Sequence, residues 1–198
     1  MGNTPEYTES MEQPAEKSYI CADSGKIHWD SWLDDHGSRL LLYARQQTRS
    51  EADAEDVLQD ALVQLVRAVE SGDFRGNEGQ WYSYALTAIR HRAMDAGRRA
   101  QVRRNYAEAQ KDNGEGICEE TPWLSSGADD EYLRRQVEKL LRKLPPEFAE
   151  VVVLKIWDGL TFQQIADTTG VPMPTVCSRY RYALKKMREV LETTPIED

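Results

Sequence analysis

The sequence predicts an all-α protein: two small helical domains joined by an acidic flexible linker, the second domain carrying a helix-turn-helix. Three observations point there. Apolar residues recur at intervals of three and four through residues 28–104 and again through 131–192, which is the period of a helix face. No stretch alternates apolar and polar residues for long enough to make a strand. Between the two blocks, residues 105–130 place Gly114, Gly116, Pro122, Ser125, Ser126 and Gly127 amid acidic side chains, the composition of a linker.

Taken in order, residues 1–27 are rich in Glu, Ser, Thr and Pro without sustained periodicity and are expected to form a disordered acidic tail. Trp29, Trp32, Leu33, Leu40, Tyr43 and Ala44 keep mostly to one face of a first helix. Ser50 is placed to cap a second helix, with Asp53 in its first turn. Along that helix Ala54, Val57, Leu58, Ala61, Leu62, Leu65 and Val69 follow 3.6-residue spacing. The turn SGDFRGNEGQ, with three glycines in ten residues, separates it from a third helix opened by Trp81, Tyr84, Ala85, Ala88 and Ile89.

Beyond the linker, Leu133, Val137, Leu140, Leu141 and Leu144 mark a helix ended by Pro145-Pro146. Phe148, Val151, Val152 and Ile156 mark the next, with Gly159 past its end. Thr161 and Gln164 fit a capping box for the short helix TFQQIADTT, and Gly170 makes the turn that follows. The last helix runs from about Pro174 to Leu191 with Val176, Tyr180, Leu184, Met187 and Leu191 expected inward, leaving 193–198 as a tail.

Charge has to be partitioned before it means anything. The net of −9 over 198 residues divides into −3 for residues 1–27, −1 for 28–104, −7 for 105–131 and +2 for 132–198, so the acidity belongs to tail and linker. Against it stands RHRAMDAGRRAQVRR, residues 90–104, with six arginines and one acidic residue. Arginine stays charged at any working pH and fits phosphate geometry. Six such contacts to duplex phosphates would give a log–log salt slope of about −5. Trp81, Tyr82 and Tyr84 lie just ahead, and basic residues beside aromatics suit single-stranded DNA, whose bases can restack on rings for roughly 1–3 kcal/mol each. Core packing accounts equally for Trp81 and Tyr84, which leaves Tyr82 as the ring expected to be exposed.

Several function classes fall away. No apolar run approaches 18 residues and no basic-then-apolar start is present, so neither a membrane span nor a secretory signal is expected. Cys21, Cys118 and Cys177 are odd in number and widely spaced, which argues against a disulfide framework and for a reducing cytoplasm. His28, His36 and His91 make no metal-ligand spacing with them. No nucleophile–base pair or phosphate loop appears, so no catalytic residue, metal or cofactor is expected and the chain is not read as an enzyme.

A short helix, a glycine turn and a longer basic helix form the helix-turn-helix plan, in which the second helix fills the DNA major groove. Its outward residues would be Thr175, Ser178, Arg179, Arg181, Tyr182 and Lys185. Arg179 or Arg181 could take guanine in the bidentate mode.

Three stretches in this order resemble an extracytoplasmic-function (ECF, group IV) sigma factor, the two-domain kind within the bacterial sigma-70 class. SEADAEDVLQDALVQLV is similar to the family's clamp-binding stretch. FRGNEGQWYSYALTAIRHRAMDAGRR is similar to its promoter-melting and −10-reading segment. LRKLPPEFAEVVVLKIWDGLTFQQIADTTGVPMPTVCSRYRYALKKM is similar to its −35-reading domain. The resemblance covers about residues 28–192. It implies a sigma region 2 domain at 28–104 and a region 4 domain at 131–192.

Asp53, Glu55, Asp56, Gln59 and Asp60, on the polar side of the second helix, would then dock on the clamp helices of core RNA polymerase, region 4 meeting the flap. Asn77, Gln80, Tyr82, Arg90, His91, Arg92, Arg98, Arg99 and Arg103 would meet the −10 element and melted strand, with residues 76–80 forming the loop that pockets a flipped base. Thr161 would join the residues of the last helix at the −35 element. The resemblance further implies promoter DNA, duplex and melted, as ligand, an anti-sigma protein as regulator and a monomer when free. Departures from the family pattern are Val66 where Trp is common, His91 for Asn, Pro174 for Gly and Cys177 for Lys or Arg. A free-standing helix-turn-helix regulator is the competing reading, but it has no use for an acidic clamp-type helix or for arginines beside aromatics.

Overall fold

The computed structural model describes residues 18–21, 26–108 and 131–193, and the side chains among them except those of 103–108, 131–135 and 193. The expectations for residues 1–17, 22–25, 109–130 (Cys118 included) and 194–198 fall outside that range. So do those for the side chains of Arg103, Arg104 and Leu133. Among the described residues the chain forms seven α-helices: α1 Trp29–Gln47, α2 Glu51–Glu70, α3 Trp81–Glu108, α4 Glu131–Arg142, α5 Pro146–Ile156, α6 Phe162–Thr169 and α7 Met173–Thr193. A 3₁₀ turn, Glu78–Gln80, leads into α3.

The first three helices pack on one another. Ser50, extended at φ −134°, accepts the Asp53 amide and opens α2, satisfying one of the amides that a helix start leaves unpaired. Ala54, Val57, Ala61 and Leu65 then bury one stripe against Trp32, Leu40, Tyr43 and Ala44 of α1 and Trp81, Ala85, Leu86 and Ile89 of α3. Trp29 stacks on Trp81 with ring centroids 5.1 Å apart. Leu33 lies off the stripe and is exposed. Helix α3 carries on through the arginine run to Glu108, four residues past the expected boundary. At 1.5 Å per residue it is about 42 Å long.

In the second block Pro145 precedes α5 and Pro146 opens it, a position where a missing N–H costs nothing. The Thr161–Gln164 capping box forms as expected, and α6 ends at Gly170 in the left-handed region, φ 71°. Helix α7 buries Val176 and Ala183, with Tyr180 and Met187 partly buried. Leu184 and Leu191, expected inward, are exposed. Equal steps of four drift off a 3.6-residue face, so Ala183 takes the inward place. Ile156 is likewise exposed, at the end of α5.

Helix α5 ties the halves together. Ala149 through Leu154 are six consecutive buried residues. Val151 and Leu154 join the cluster containing the α1–α3 core, whereas Ala149, Val152 and Val153 pack with Leu141, Leu144 and Ala183. Helix α6 adds Ile165 and Ala166 to the first cluster and contacts α3. A helix apolar all round needs partners all round, and here one set comes from each half of the chain.

The boundary expected at residue 27 also moves. Ile20 pairs antiparallel with Ile27, the Cys21 amide donates to the Lys26 carbonyl and the His28 amide to Tyr19, both at 2.8 Å. Tyr19 and Ile27 pack against the first core. So short a hairpin leaves too little alternation to be seen in sequence.

Candidate nucleic-acid and polymerase interfaces

The periodicity that buries one stripe of α2 turns its acidic residues outward. Asp53, Glu55, Asp56, Gln59 and Asp60 are all exposed, while Leu58 and Leu62 are partly buried against the core. Among the described helices α2 touches only α1 and α3. Asp60 lies 3.5 Å from Arg92, so one residue of the acidic face is shared with the basic helix.

On α3 the expected DNA-facing residues divide. His91, Arg92, Arg98 and Arg99 are exposed, and Arg98 makes an exposed pair with Asp95 at 2.8 Å, a geometry that contributes little in water. Among the described residues Ala93 is the last buried one along the helix, and Met94 after it lines the cleft to the second block. Arg98 and Arg99, further along, are exposed to solvent.

Tyr82 and Arg90 do not have the setting the sequence predicts. Tyr82, expected to be exposed, is 8% exposed and donates its hydroxyl to Asp158. Arg39 sits over its ring at 4.7 Å from the centroid, and the His36 ring lies 5.0 Å away. Arg90 bonds through Nε to Glu150 Oε1 at 3.0 Å. That oxygen also accepts from the Tyr43 hydroxyl at 2.7 Å and from Gln47 at 3.3 Å. Periodicity within region 2 could not reveal this, because the covering residues come from the second domain.

Two buried carboxylates, unremarked in the sequence, thus organise the junction. Glu150 is 4% and Asp158 7% exposed. Burial pushes Asp158 up to about 6, against the opposing pull of the Tyr82 hydroxyl and of Arg39. Arg39 Nε is 3.5 Å from Asp158 Oδ1 without forming a hydrogen bond, and Asp158 Oδ2 is left with no hydrogen-bond partner. The Arg39 guanidinium instead donates to the Asp158 carbonyl at 3.2 Å. Beside Glu150 the domains leave a cleft of about 630 Å³ lined by Arg49, Arg90, Met94, Leu141 and Arg142 among others.

The loop before α3 is built from its own side chains. The Asn77 amide donates to Gln80 Oε1 at 3.0 Å and the Gln80 amide to the Asn77 carbonyl at 3.0 Å, so the Gln80 side chain, one of the expected base-reading groups, is engaged in holding the turn. A Cβ on Gly76 would come within 2.4 Å of Gln80 Oε1 and 2.7 Å of the Phe74 ring. Glu78 receives the Ser18 hydroxyl at 3.0 Å and the Tyr19 amide. The hairpin therefore straps this loop.

On α7, Thr175, Ser178, Arg181, Tyr182 and Lys185 are exposed and Arg179 partly so. Tyr182 packs one side on Phe148, with centroids 4.8 Å apart. Thr161 is also exposed, but its hydroxyl is used in the cap of α6. Cys177 is a free, half-buried thiol. The outward set thus shares one surface of the helix-turn-helix.

The family model described as Sigma-70 region 2 matches residues 32–103, and that of Sigma-70, region 4 matches residues 140–189. The chain belongs to the extracytoplasmic-function sigma factors of the sigma-70 class. Curated relatives agree. The ECF RNA polymerase sigma factor SigE of Mycolicibacterium smegmatis is 29% identical over 167 residues, covering 82% of this chain and 61% of that relative. SigK of Mycolicibacterium vanbaalenii is 29% identical over 164 residues, covering 81% and 80%. RNA polymerase sigma factor SigV of Bacillus subtilis is 24% identical, covering 79% and 86%. Against SigE, the first of these, the chain thus spans less than two thirds of the relative. The fold matches sigma factor RpoE of Bartonella quintana, solved in complex with the anti-sigma factor NepR, at TM-score 0.62 and 20% identity over 83% of this chain and 96% of that one. It also matches CnrH, solved with the cytosolic domain of CnrY, at TM-score 0.52. With both sigma regions matched, a free-standing helix-turn-helix regulator is not favoured. Among the described residues no helix of the sigma factor is long and apolar enough to cross a membrane.

Proposed function

We propose that this sigma factor docks on the clamp helices of core RNA polymerase through Asp53, Glu55, Asp56, Gln59 and Asp60, and that region 4 meets the flap. It then reads the −10 element and melted strand with the basic half of α3 and the loop before it, and the −35 element with the outward face of α7. The factor has no catalytic step of its own. It works in the cytoplasm, is a monomer when free and is held by an anti-sigma protein.

The observation that carries this reading is the exposure of the whole acidic set on α2. Asp56 and Asp60 lie one turn apart, and so do Glu55 and Gln59. Like charges at that spacing cost a few tenths of a kcal/mol unless a cationic surface faces them, and a docking site on polymerase supplies one. The exposed arginines of α3 support the other half, since Arg92, Arg98 and Arg99 present fixed positive charge suited to backbone phosphates.

Transcription in vitro tests the proposal. Core bacterial polymerase, this protein and a library of promoter fragments should give specific start sites that vanish with Asp56→Arg. Start sites that survive Asp56→Arg together with Asp60→Arg would remove the α2 assignment. A duplex shift by the protein alone, with no transcripts, would favour the polymerase-independent regulator.

A further inference from the structure

The junction between the domains buries two carboxylates that neither domain needs for its own core. Every side chain that meets Glu150 there, Tyr43, Gln47 and Arg90, comes from region 2, as do Tyr82 and Arg39 around Asp158. We propose that α5 and the turn after it act as an internal competitor for DNA, Glu150 and Asp158 holding region 2 in a closed form that cannot take a melted strand. This rests on the reading that Tyr82 and Arg90 face promoter DNA.

The chemistry fits a competitor. Glu150 offers Arg90 a compact anionic acceptor, which is also what a backbone phosphate offers it. At 8% exposure Tyr82 is out of reach of any base. Closure leaves the polymerase side open, because α2 touches no helix of region 4 among those described and its acidic residues stay exposed. The outward residues of α7 also stay exposed, Arg179 in part. Duplex reading and core binding are therefore available to the closed form; of the melted-strand set, Tyr82 and Arg90 are withheld while His91, Arg92, Arg98 and Arg99 stay exposed.

Buried carboxylates also suit a junction that must open. Ion pairs taken out of water give little net stability compared with apolar residues of similar volume. Once the domains part, however, each partner is well solvated. An all-apolar junction would be harder to separate and would expose greasy surface when it did. The apparent affinity of a site available only in the open form falls by the open fraction. Opening the junction must then tighten single-strand binding by the closed-to-open ratio.

The full chain is used for the test. Glu150→Lys sets an ammonium against Arg90 when closed but a solvated side chain when open. A second variant, Glu150→Ala with Asp158→Ala, removes both acceptors without adding charge, and Glu70→Lys at the exposed end of α2 controls for altered net charge. Small-angle scattering reads the radius of gyration, and anisotropy reads binding to a fluorescein-labelled, mixed-sequence 20-nucleotide single strand. Opening should raise the radius and tighten binding about tenfold or more, while Glu70→Lys does neither.

A wild type that is already extended, or variants that open without binding more tightly, would overturn the inference. So would loss of helix content in both variants, which would make the carboxylates part of the fold. Failure of the underlying reading looks different: transcription from core polymerase would then be indifferent to Tyr82→Ala and Arg90→Ala. If those substitutions abolish transcripts and opening still fails to tighten binding, closure alone is wrong.

Discussion

Tyr43 of α1 donates its hydroxyl to Glu150 of α5 at 2.7 Å, across 107 positions of the chain, and both are buried. Burial first, then the neighbouring carboxylate, raises the tyrosine well above its ordinary value. It is therefore a neutral donor at every working pH. Removing one partner of a buried charge-bearing set costs about 3–5 kcal/mol when the others stay buried. Here the domains have an escape, since parting lets water satisfy Tyr43 and Arg90. Glu150→Ala is therefore expected to uncouple the domains rather than unfold either one. Scanning calorimetry should show one cooperative transition in wild type and two in the variant.

The junction should tighten as pH falls from neutrality. Asp158 is pushed up to about 6 in the closed form from an ordinary 3.8, so the closed form binds the proton more strongly. Ionised, Asp158 holds the junction less firmly than it does protonated; that loss is full above pH 6, shrinks as pH falls through 6 and is gone below 3.8. The size is on the order of 3 kcal/mol at neutral pH. The other titratable or charged groups facing this site are His36, beside the Tyr82 ring, and Arg39 over it. Asp158→Asn isolates the carboxylate: the difference between variant and wild type in domain separation, read by scattering at pH 7.5 and 5, should shrink on acidification. A pH-independent difference would assign the coupling to another group.

The elements themselves were legible because their signals are local. Ser50 before an apolar stripe, Thr161 three residues ahead of Gln164 and Gly170 after a short helix each state a boundary that the structure keeps. The acidic face of α2 could be found the same way, as the complement of its buried stripe. What could not be read was which surfaces meet. Tyr82 looks exposed by phase because its cover, Asp158, is 76 residues away. One clue was present. In AEVVVL a carboxylate stands inside a run apolar on every side, and such a helix has more than one partner. Read that way, Glu150 would have pointed to a second packed face and to a cation waiting on it. The hairpin at 18–28 was lost for a different reason, since one pair of bridging residues does not make a pattern.

The strap on the loop before α3 should be separable from the fold. Glu78 takes both the Tyr19 amide and the Ser18 hydroxyl, while the Tyr19 hydroxyl donates to Asp35 at 2.9 Å. Burial and that carboxylate raise the Tyr19 phenol to about 12, so it stays a donor. Glu78→Ala should raise hydrogen exchange at Tyr19 while the amides of α2 and α3 keep their protection. Unchanged exchange at Tyr19 would show that the hairpin is held by its apolar contacts alone.

Thr161 carries an expectation that separates capping from DNA contact. Its side chain accepts the Gln164 amide at 3.2 Å, and Gln164 returns a bond to the Thr161 amide at 2.8 Å. Thr161→Ala should cost region 4 about 1 kcal/mol. In the coupled two-domain unit, of about 150 residues, that lowers the melting temperature by roughly 2–4 °C. Thr161→Ser keeps the acceptor and should recover most of that loss. Both are checked by thermal denaturation without DNA.

The exposed half of α3 makes the sharpest electrostatic prediction. Among the described residues Arg98 is tied only to an exposed Asp95, and Arg99 is exposed, so both are available to phosphate. Each phosphate contact on duplex contributes about 0.9 to the log–log salt slope, and about 0.7 on a single strand. Arg98→Ala with Arg99→Ala should therefore lower the slope for fork-junction DNA by about 1.4–1.8, with binding weakened alike across sequences. Arg90→Ala behaves differently in the closed form, because Arg90 is already neutralised by Glu150. Its effect on the slope should be small in wild type and appear only in Glu150→Ala. Equal effects in both backgrounds would mean that Arg90 reaches DNA without the domains parting.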